Sequence, residues 1–455
     1  MQLHELSARA VADAIRRGEF TSEALVRDCL DRIARTEDRI RAWTWLDPDQ
    51  AIAQARAADR AQADGARLGA LHGVPVGIKD IFDTADMPTE YGTVLHQGRR
   101  PREDATVVAL LRNAGAVIMG KTVTTELAVY APGKTTNPHD ERRTPGGSSS
   151  GSAAAVAACM VPLAVGTQTN GSLIRPASYC GVYGFKPSHG AISRHGVLKQ
   201  SPTLDHVGVF ARSVDDVAML ARVLCAWDGK DLDVAPGSVL ELPARWEHAL
   251  PGPPRIAFVK TPLWPQAERI AQEAFVQLAE NWSDVVTEVD LPPAFDSALE
   301  WHRTIMESDL ANSFEDEYAR GRDRLSDVLV QMIERGQRYT GVSYSKARDG
   351  IVVLQRALER LFAEYDAILT PATQGAAPKG LAATGSPMFC TIWTLCGVPA
   401  LSMPVLQGED GMPMGAQLVG RKGHDARLLG VARWLAERER RQAGSVDATQ
   451  EGGRA

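Results

Sequence analysis

The sequence predicts an α/β fold in which helices pack on a central sheet. Short apolar runs at residues 76–78, 116–119 and 163–165 have the length and composition of buried strands, and segments of helical character alternate with them. The chain has 455 residues, of which 44% are hydrophobic, so it can bury a large core. These observations indicate a layered α/β protein.

Three helices are predicted before the first of these strands. Helical periodicity covers residues 5–17, Thr21 or Ser22 is suited to cap a helix that ends near residue 35, and a third helix covers residues 49–64. We expect residues 1–66 to form an N-terminal helical segment that packs on the core, and residues 67–440 to form a single domain.

Lys79 directly follows the apolar run at residues 76–78 and is therefore placed at a strand end. Burial of an amine favours its neutral form, which can accept a proton. A lone lysine after an apolar run is more often a solvated charge. Its role as a base is therefore argued only together with the serine turns farther along the chain.

Residues 115–122 match the nucleotide-binding pattern GxxxxGK[ST], which needs a strand, then a loop, then a helix. Here the variable positions are apolar and strand-like. We expect Asp104 to cap a helix that runs through Leu111, a buried strand at residues 116–119, and Lys121 at the start of a surface turn. Nucleotide binding is kept as a disfavoured alternative.

Two glycine-rich and serine-rich turns, at residues 146–151 and 169–172, present Ser148 and Ser172. The alanine-rich run between them suits a buried helix followed by a strand, which argues against a flexible linker. Glycines allow backbone N–H groups to converge, and convergent N–H groups can hold an oxyanion. A serine hydroxyl needs a base to become a good nucleophile, and Lys79 is the candidate.

Residues 147–151 also fit the GxSxG pattern of α/β-hydrolases, with Ser149 as nucleophile. That turn needs a strand directly before it, whereas residues 137–145 are loop-like. It also needs a later acid and histidine, and no later histidine has a matching local pattern. The α/β-hydrolase interpretation is therefore disfavoured.

The remainder of the chain returns to the predicted sheet. Residues 227–255 are rich in glycine, proline and acids, and residues 301–364 are helical, so we expect a variable middle region at about 227–364. Three strands and a closing helix are predicted at residues 367–370, 400–403, 415–419 and 424–438. Residues 441–455 are expected to form a flexible tail.

Three motifs together resemble the amidase signature family of serine hydrolases. They are GIKD with Lys79, PGGSSSGSAAA with Ser148 and GTQTNGSLIRPAS with Ser172, and the 24-residue interval between the serines fits the same pattern. The similarity runs from about residue 71 to 213 and from about 365 to 435. It implies the amidase signature fold, a mixed, twisted central sheet covered by helices on both faces.

The resemblance implies a Ser-cisSer-Lys triad, in which Ser172 would attack the substrate carbonyl, Ser148 would relay its proton and neutral Lys79 would be the base. In the family the peptide bond before the relay serine is cis, here Gly147–Ser148.

The resemblance also assigns the residues around the triad. The backbone N–H groups of Thr169, Asn170 and Gly171 would form the oxyanion hole. Ser149 would be a supporting hydrogen-bonding residue, and Asp205 a structural hydrogen-bond acceptor near the site.

The chain departs from the common family pattern beside the nucleophile. Many members have Asp and Gly where this chain has Gln168 and Asn170, and the usual arginine is displaced by one place to Arg175. This form resembles the malonamidase-like branch. The Arg175 guanidinium could hold a substrate carboxylate through a bidentate pair, or it could tie down its own loop.

Composition excludes several other classes. The net charge is −6 and no basic stripe interleaves with aromatic residues, so nucleic-acid binding is not indicated. The longest apolar stretch, at residues 153–165, is too short to span a membrane, and no cluster has metal-ligand spacing. Six cysteines without a CxxC pair suit a cytoplasmic protein.

The predicted function is therefore an amidohydrolase that cleaves a small amide, and also an ester or carbamate where the pocket permits, through an acyl-enzyme on Ser172. We expect a small-molecule substrate and no cofactor. The alternative is the amidase-like subunit of a tRNA-dependent amidotransferase, which has the same triad. A homodimer is compatible with the sequence.

Overall fold

Strands and helices alternate along the chain. The computed structural model describes residues 2–237, 250 and 252–451. The strands of this described part are β1 (Trp43–Leu46), β2 (Pro75–Lys79), β3 (Val117–Thr122), β4 (Leu163–Gln168), β5 (Tyr183–Lys186), β6 (His206–Ala211), β7 (Ile256–Phe258), β8 (Val286–Glu288), β9 (Ala367–Pro371), β10 (Ala400–Gln407) and β11 (Pro413–Val419).

The α-helices of the same part are α1 (Ala8–Arg16), α2 (Ser22–Ile40), α3 (Pro48–Ala63), α4 (Thr106–Asn113), α5 (Ser150–Ala157), α6 (Ile174–Cys180), α7 (Val214–Leu224), α8 (Arg269–Asn281), α9 (Ala298–Ser313), α10 (Glu315–Gly321), α11 (Asp327–Gly336), α12 (Gly341–Leu361), α13 (Met388–Leu395) and α14 (Asp425–Glu451).

The strands form one mixed sheet in the order β1-β3-β2-β4-β6-β5-β10-β11-β9-β7-β8. Strand β2 is parallel to both β3 and β4, and β7 is parallel to β8 and β9, whereas the other pairs are antiparallel. The predicted α/β class, with helices on a mixed central sheet, is confirmed.

The pairing of β2 with β4 places the two predicted catalytic segments at the same end of two neighbouring interior strands. Ile78 pairs with Val165 in this parallel pair, β2 ends at Lys79, and the chain after β4 leads directly into residues 169–172. Every residue of β2 and β4 is buried. The site therefore rests on the rigid centre of the fold.

The N-terminal helices agree with the prediction, but one strand among them was missed. Thr21 caps α2 by accepting a hydrogen bond from the Ala24 N–H, and this helix continues to Ile40. Strand β1 then pairs antiparallel with β3. Four residues between two helices are too few for a periodic pattern to reveal a strand.

Two predictions around β3 were wrong. Asp104 does not cap α4, because its carboxylate instead accepts hydrogen bonds from the Ala85 N–H (2.8 Å) and Arg112 Nε (2.9 Å). Lys121 lies in β3 rather than in a surface turn and is fully buried. Its ammonium group faces Asp80 at 3.5 Å and donates to the Phe82 carbonyl, so it is not free to bind phosphate.

The later chain follows the predicted order of helices and strands. Helices α9 to α12 fill the predicted helical region, and α14 continues to Glu451, beyond the predicted start of a tail at residue 441. Within the predicted surface crossing at 227–255, residues 238–249 and 251 lie outside the described residues, as do residues 452–455 of the tail.

Candidate active site

The amine of Lys79 lies in a fully buried position at the end of β2. Its Nζ donates hydrogen bonds to Ser148 Oγ at 2.8 Å and to Thr167 Oγ1 at 2.7 Å. Burial lowers the pKa of this amine well below its usual value, and the charge of Asp205 only partly opposes the effect. The arrangement therefore favours a neutral amine in direct contact with a serine hydroxyl.

Ser148 is held in a tightly packed turn just before α5. The Gly147–Ser148 peptide bond is cis, as the family resemblance implied, and Gly146 has a φ of 82°. A Cβ atom on Gly146 would lie 2.8 Å from the Cα of Pro176, so no larger residue fits there. The backbone of the turn is thus fixed by close contact with α6.

Ser172 ends a loop between β4 and α6 whose carbonyl groups are all anchored. The carbonyl oxygens accept hydrogen bonds as follows: Thr169 from His302 Nε2, Asn170 from Thr394 Oγ1, Gly171 from the Arg175 N–H, and Ser172 from the Ser149 N–H. In contrast, the N–H groups of Thr169, Asn170, Gly171 and Ser172 have no acceptor among the residues that the structure describes. A row of fixed, unpaired N–H groups can stabilise negative charge.

The hydroxyl of Ser172 makes no hydrogen bond to another described residue, and the residue retains 6% exposure. The structure therefore brings Lys79 and Ser148 into contact. It places Ser172 in the neighbouring loop, where the Ser172 carbonyl accepts the Ser149 N–H at 3.3 Å.

Asp205 supports the same loop from the side of β6. Its carboxylate accepts hydrogen bonds from Thr169 Oγ1 at 2.6 Å and from the Gln200 and Ser201 N–H groups at 2.9 Å each. Burial raises the pKa of Asp205 to about 6, although these hydrogen bonds oppose the shift. These contacts fit the expectation of a structural acceptor near the site.

The side chains of Ser149 and Arg175 pack against the backbone near Ser148 and are buried. Ser149 Oγ is 3.2 Å from the Thr167 carbonyl oxygen, to which it donates, and 3.3 Å from the Thr167 N–H. Arg175 is fully buried, and its Nη2 donates to the Gly147 carbonyl at 2.6 Å and to Thr384 Oγ1 at 3.1 Å. Its Nε and Nη1 have no hydrogen-bond partner in the described chain.

Sequence reasoning missed several residues that contact the site, and three of them illustrate why. Thr167 shares the Lys79 amine with Ser148, His302 holds the Thr169 carbonyl at 2.9 Å, and Tyr130 accepts a hydrogen bond from Asn170 Nδ2 at 3.0 Å. Burial lowers the pKa of His302 to about 4. His302 stands 133 residues after Thr169, so no local pattern links the two.

A cavity of about 580 Å³ lies beside this loop. Asn170, Tyr130, Pro387 and Thr391 line it, together with residues of α9 and α11. Pro387 also packs on Gly171, where an added Cβ would lie 2.8 Å from its Cβ. Of the four residues with unpaired N–H groups, Asn170 lines this cavity, so a substrate in it would lie beside the loop.

A second cavity, of about 480 Å³, has Thr167, Thr169 and Asp205 in its lining.

No described helix is both long and apolar enough to cross a membrane. The described residues also contain no group of three or more His, Cys, Asp or Glu side chains placed to hold a metal ion.

Several known proteins are similar to this chain over nearly its whole length. A family model described as Amidase matches residues 24–429. A glutamyl-tRNA(Gln) amidotransferase subunit of Chloroflexus aggregans is 34% identical over 470 residues, which cover 94% of this chain and 96% of that protein. Two solved structures are also similar over nearly their whole length.

The first is the native peptide amidase of Stenotrophomonas maltophilia, which is 30% identical with a TM-score of 0.81 and coverage of 96% of this chain and 97% of that chain. The second is a 6-aminohexanoate cyclic dimer hydrolase complexed with its substrate. It is 26% identical with a TM-score of 0.84, and the match covers 95% of this chain and 96% of that chain.

Proposed function

Because the chain belongs to the amidase signature family, we propose that it cleaves the C–N bond of a small amide through an acyl-enzyme on Ser172. The observation that carries this proposal is the buried amine of Lys79, whose Nζ lies 2.8 Å from Ser148 Oγ. The amine also contacts Thr167, just before the loop at residues 169–172 with its four unpaired N–H groups. Besides its nucleophile, a serine amidase needs a base and a site that stabilises the oxyanion, and these two features can supply them.

In the proposed mechanism, Ser172 Oγ attacks the carbonyl carbon of the amide while its proton passes to Ser148 Oγ. The Ser148 proton passes in turn to the lone pair of Lys79 Nζ. The oxyanion of the tetrahedral intermediate is stabilised by the N–H groups of Thr169, Asn170 and Gly171.

When the intermediate collapses, the C–N bond breaks and the proton held by Lys79 returns through Ser148 to the leaving amine. Water then attacks the Ser172 ester along the same proton path, which releases the acid and restores the enzyme. The path needs no metal or cofactor, because Lys79 supplies the base. An ester or a carbamate can follow the same steps.

Ser149 and Arg175 support this machinery in the proposal. Ser149 joins the Ser148 turn to β4 through its two contacts with Thr167. The contact of Arg175 with the Gly147 carbonyl supports a role in holding the peptide before Ser148, and its two free donors leave the carboxylate-binding role open.

The test is to trap the acyl-enzyme by mass spectrometry with a panel of amides, esters and carbamates. We expect label on Ser172. Ser172→Ala and Ser148→Ala are expected to lose about a thousandfold or more in kcat, because the nucleophile and its proton relay act as one unit. Ser149→Ala is the matched control and should keep the label on Ser172. Label on Ser149, or undiminished turnover by Ser172→Ala, would overturn the proposal.

A second candidate is an amidotransferase subunit, since a relative with 34% identity has that name. It uses the same residues but would deliver ammonia to a partner. Glutaminase activity that appears only with a partner protein would favour this candidate. Turnover of simple amides by the purified chain would favour the stand-alone hydrolase.

A further inference from the structure

The cavity beside Asn170 carries one charge that no neighbour neutralises. Arg303 on α9 lines this cavity and is exposed to solvent. It forms no ion pair or hydrogen bond with any residue that the structure describes. An arginine guanidinium stays charged throughout the physiological pH range.

The other ionisable side chains of the cavity contribute no net charge. Glu307 is buried and pairs with Arg335, with 2.6 Å between Glu307 Oε1 and Arg335 Nη2. His302 is neutral near pH 7 because burial lowers its pKa to about 4. The cavity therefore has a net charge of about +1, located at Arg303.

Apolar side chains contribute much of the lining of this cavity. Leu299, Met306 and Met332 contribute to it from α9 and α11, and Met388 contributes from the start of α13. Methionine side chains adapt to ligands of different shape. The lining thus suits a flexible hydrocarbon segment rather than a polar one.

We propose that Arg303 is a specificity-determining residue that binds a carboxylate carried by the substrate on an apolar segment, away from the scissile amide. This inference rests on the proposed amide hydrolysis and names the substrate class for it. The preferred substrates are then amides of linear aliphatic acids that bear a second, free carboxylate.

Arg303 and Arg175 differ in what they can reach. Arg175 is fully buried, and its Nη2 is engaged by Gly147 and Thr384, so a carboxylate there would have to sit within the turn itself. Arg303 lines the open cavity, and its whole guanidinium group is available. The distal carboxylate is therefore assigned to Arg303.

The experiment compares matched substrates by ammonia release. The acidic series contains monoamides of dicarboxylic acids from malonamate to suberamate, and each is paired with the neutral fatty amide and the ω-amino amide of equal length. We expect the wild-type chain to prefer the best acid over its neutral partner by about tenfold in kcat/KM, mainly through KM, and the preference to fall as salt is added.

Arg303→Gln is expected to abolish this preference while it leaves neutral amides almost unchanged, and Arg303→Glu should favour the ω-amino amides. Arg102→Gln, which removes an exposed arginine before α4, is the matched control and should keep the preference. An acid preference that survives Arg303→Gln, or that only Arg175→Gln removes, overturns the assignment. Equal wild-type turnover of acidic and neutral amides does so as well. If the wild-type chain hydrolyses no amide, the proposed function itself fails.

Discussion

Burial of the Lys79 amine is predicted to lower the free energy of unfolding of the protein. The same burial favours the neutral form that can act as a base. Burial in the native protein lowers the pKa of this amine well below the ordinary value near 10.5 that the solvated amine has in the unfolded chain. Between that value and the lower native pKa, the unfolded state binds one more proton than the native state. The free energy of unfolding of the wild-type protein therefore decreases as the pH falls through this window.

We predict that Lys79→Met becomes progressively more stable relative to wild type as the pH falls from about 10.5. The expected gain is about 1.4 kcal/mol for each pH unit until the native pKa is reached. The two lost hydrogen bonds, to Ser148 and Thr167, cost about 1 kcal/mol each, but that cost does not vary with pH over this range.

Urea unfolding of both proteins at several pH values measures this difference, and groups common to both cancel. Lys79→Arg provides the comparison for activity. Its guanidinium cannot lose a proton at these pH values, so kcat should fall to the level of the Met variant. A stability difference that is independent of pH would contradict a neutral lysine.

At this scale, the sequence was informative where function depends on short motifs. Lys79, Ser148 and Ser172 each lie in a local glycine-rich or strand-end pattern, and the structure places Lys79 against Ser148. Thr167 could not be predicted, because its contact with Lys79 depends on the register between β2 and β4. Lys121 was misjudged because burial of its charge depends on Asp80, which a single strand pattern does not reveal.

Among the elements, α9 connects the middle region of the chain, at about residues 227–364, to the loop that carries Ser172. His302 on this helix holds the Thr169 carbonyl, Asp309 accepts a hydrogen bond from Ser201 Oγ, and Glu307 pairs with Arg335 of α11. The helix thus fixes both the loop and the cavity wall. The sequence predicted that this region is helical, but the contacts of His302 with Thr169 and of Asp309 with Ser201 join segments more than 100 residues apart.

We predict that His302→Leu lowers kcat more than it raises KM. Leucine leaves the buried Thr169 carbonyl without a donor, which should cost about 1–3 kcal/mol of stability and release the neighbouring N–H groups from their fixed positions. His302→Gln places an amide donor near the position of Nε2 and should restore most of kcat.

Steady-state kinetics and urea unfolding of the two variants provide the measurement. Equal stability losses with unequal kcat values would support a positioning role. If His302→Gln is as inactive as His302→Leu although its stability recovers, the hydrogen bond to Thr169 is not what positions the loop.

Across the whole molecule, the sheet joins chain segments that are distant in sequence. Strands β5 and β10 pair antiparallel near its centre, and they connect the half that carries Lys79 and the serines to the half that ends at β8. The sequence predicted the strands and their class, but the order of eleven strands was not predictable, because many connections of different length satisfy the same hydrophobic pattern.

This arrangement predicts two levels of stability within one sheet. All residues of β2, β4 and β6 are buried, whereas Thr287 and Glu288 of the edge strand β8 are exposed. Amide hydrogens of the three central strands should exchange only through global unfolding. Those of β8 should exchange at least about a hundredfold faster through local opening, because β7 is the one described strand that pairs with β8.

Hydrogen exchange followed by mass spectrometry, with and without low concentrations of urea, tests this prediction. Amide exchange in peptides from the central strands should become faster with urea, to the extent that urea promotes global unfolding. The exchange rate of the β8 peptide should not change. Protection of β8 that equals that of β4 at every protein concentration would contradict the two-level arrangement. Protection that disappears on dilution would instead show that a second copy of the chain covers this edge, because only association depends on concentration.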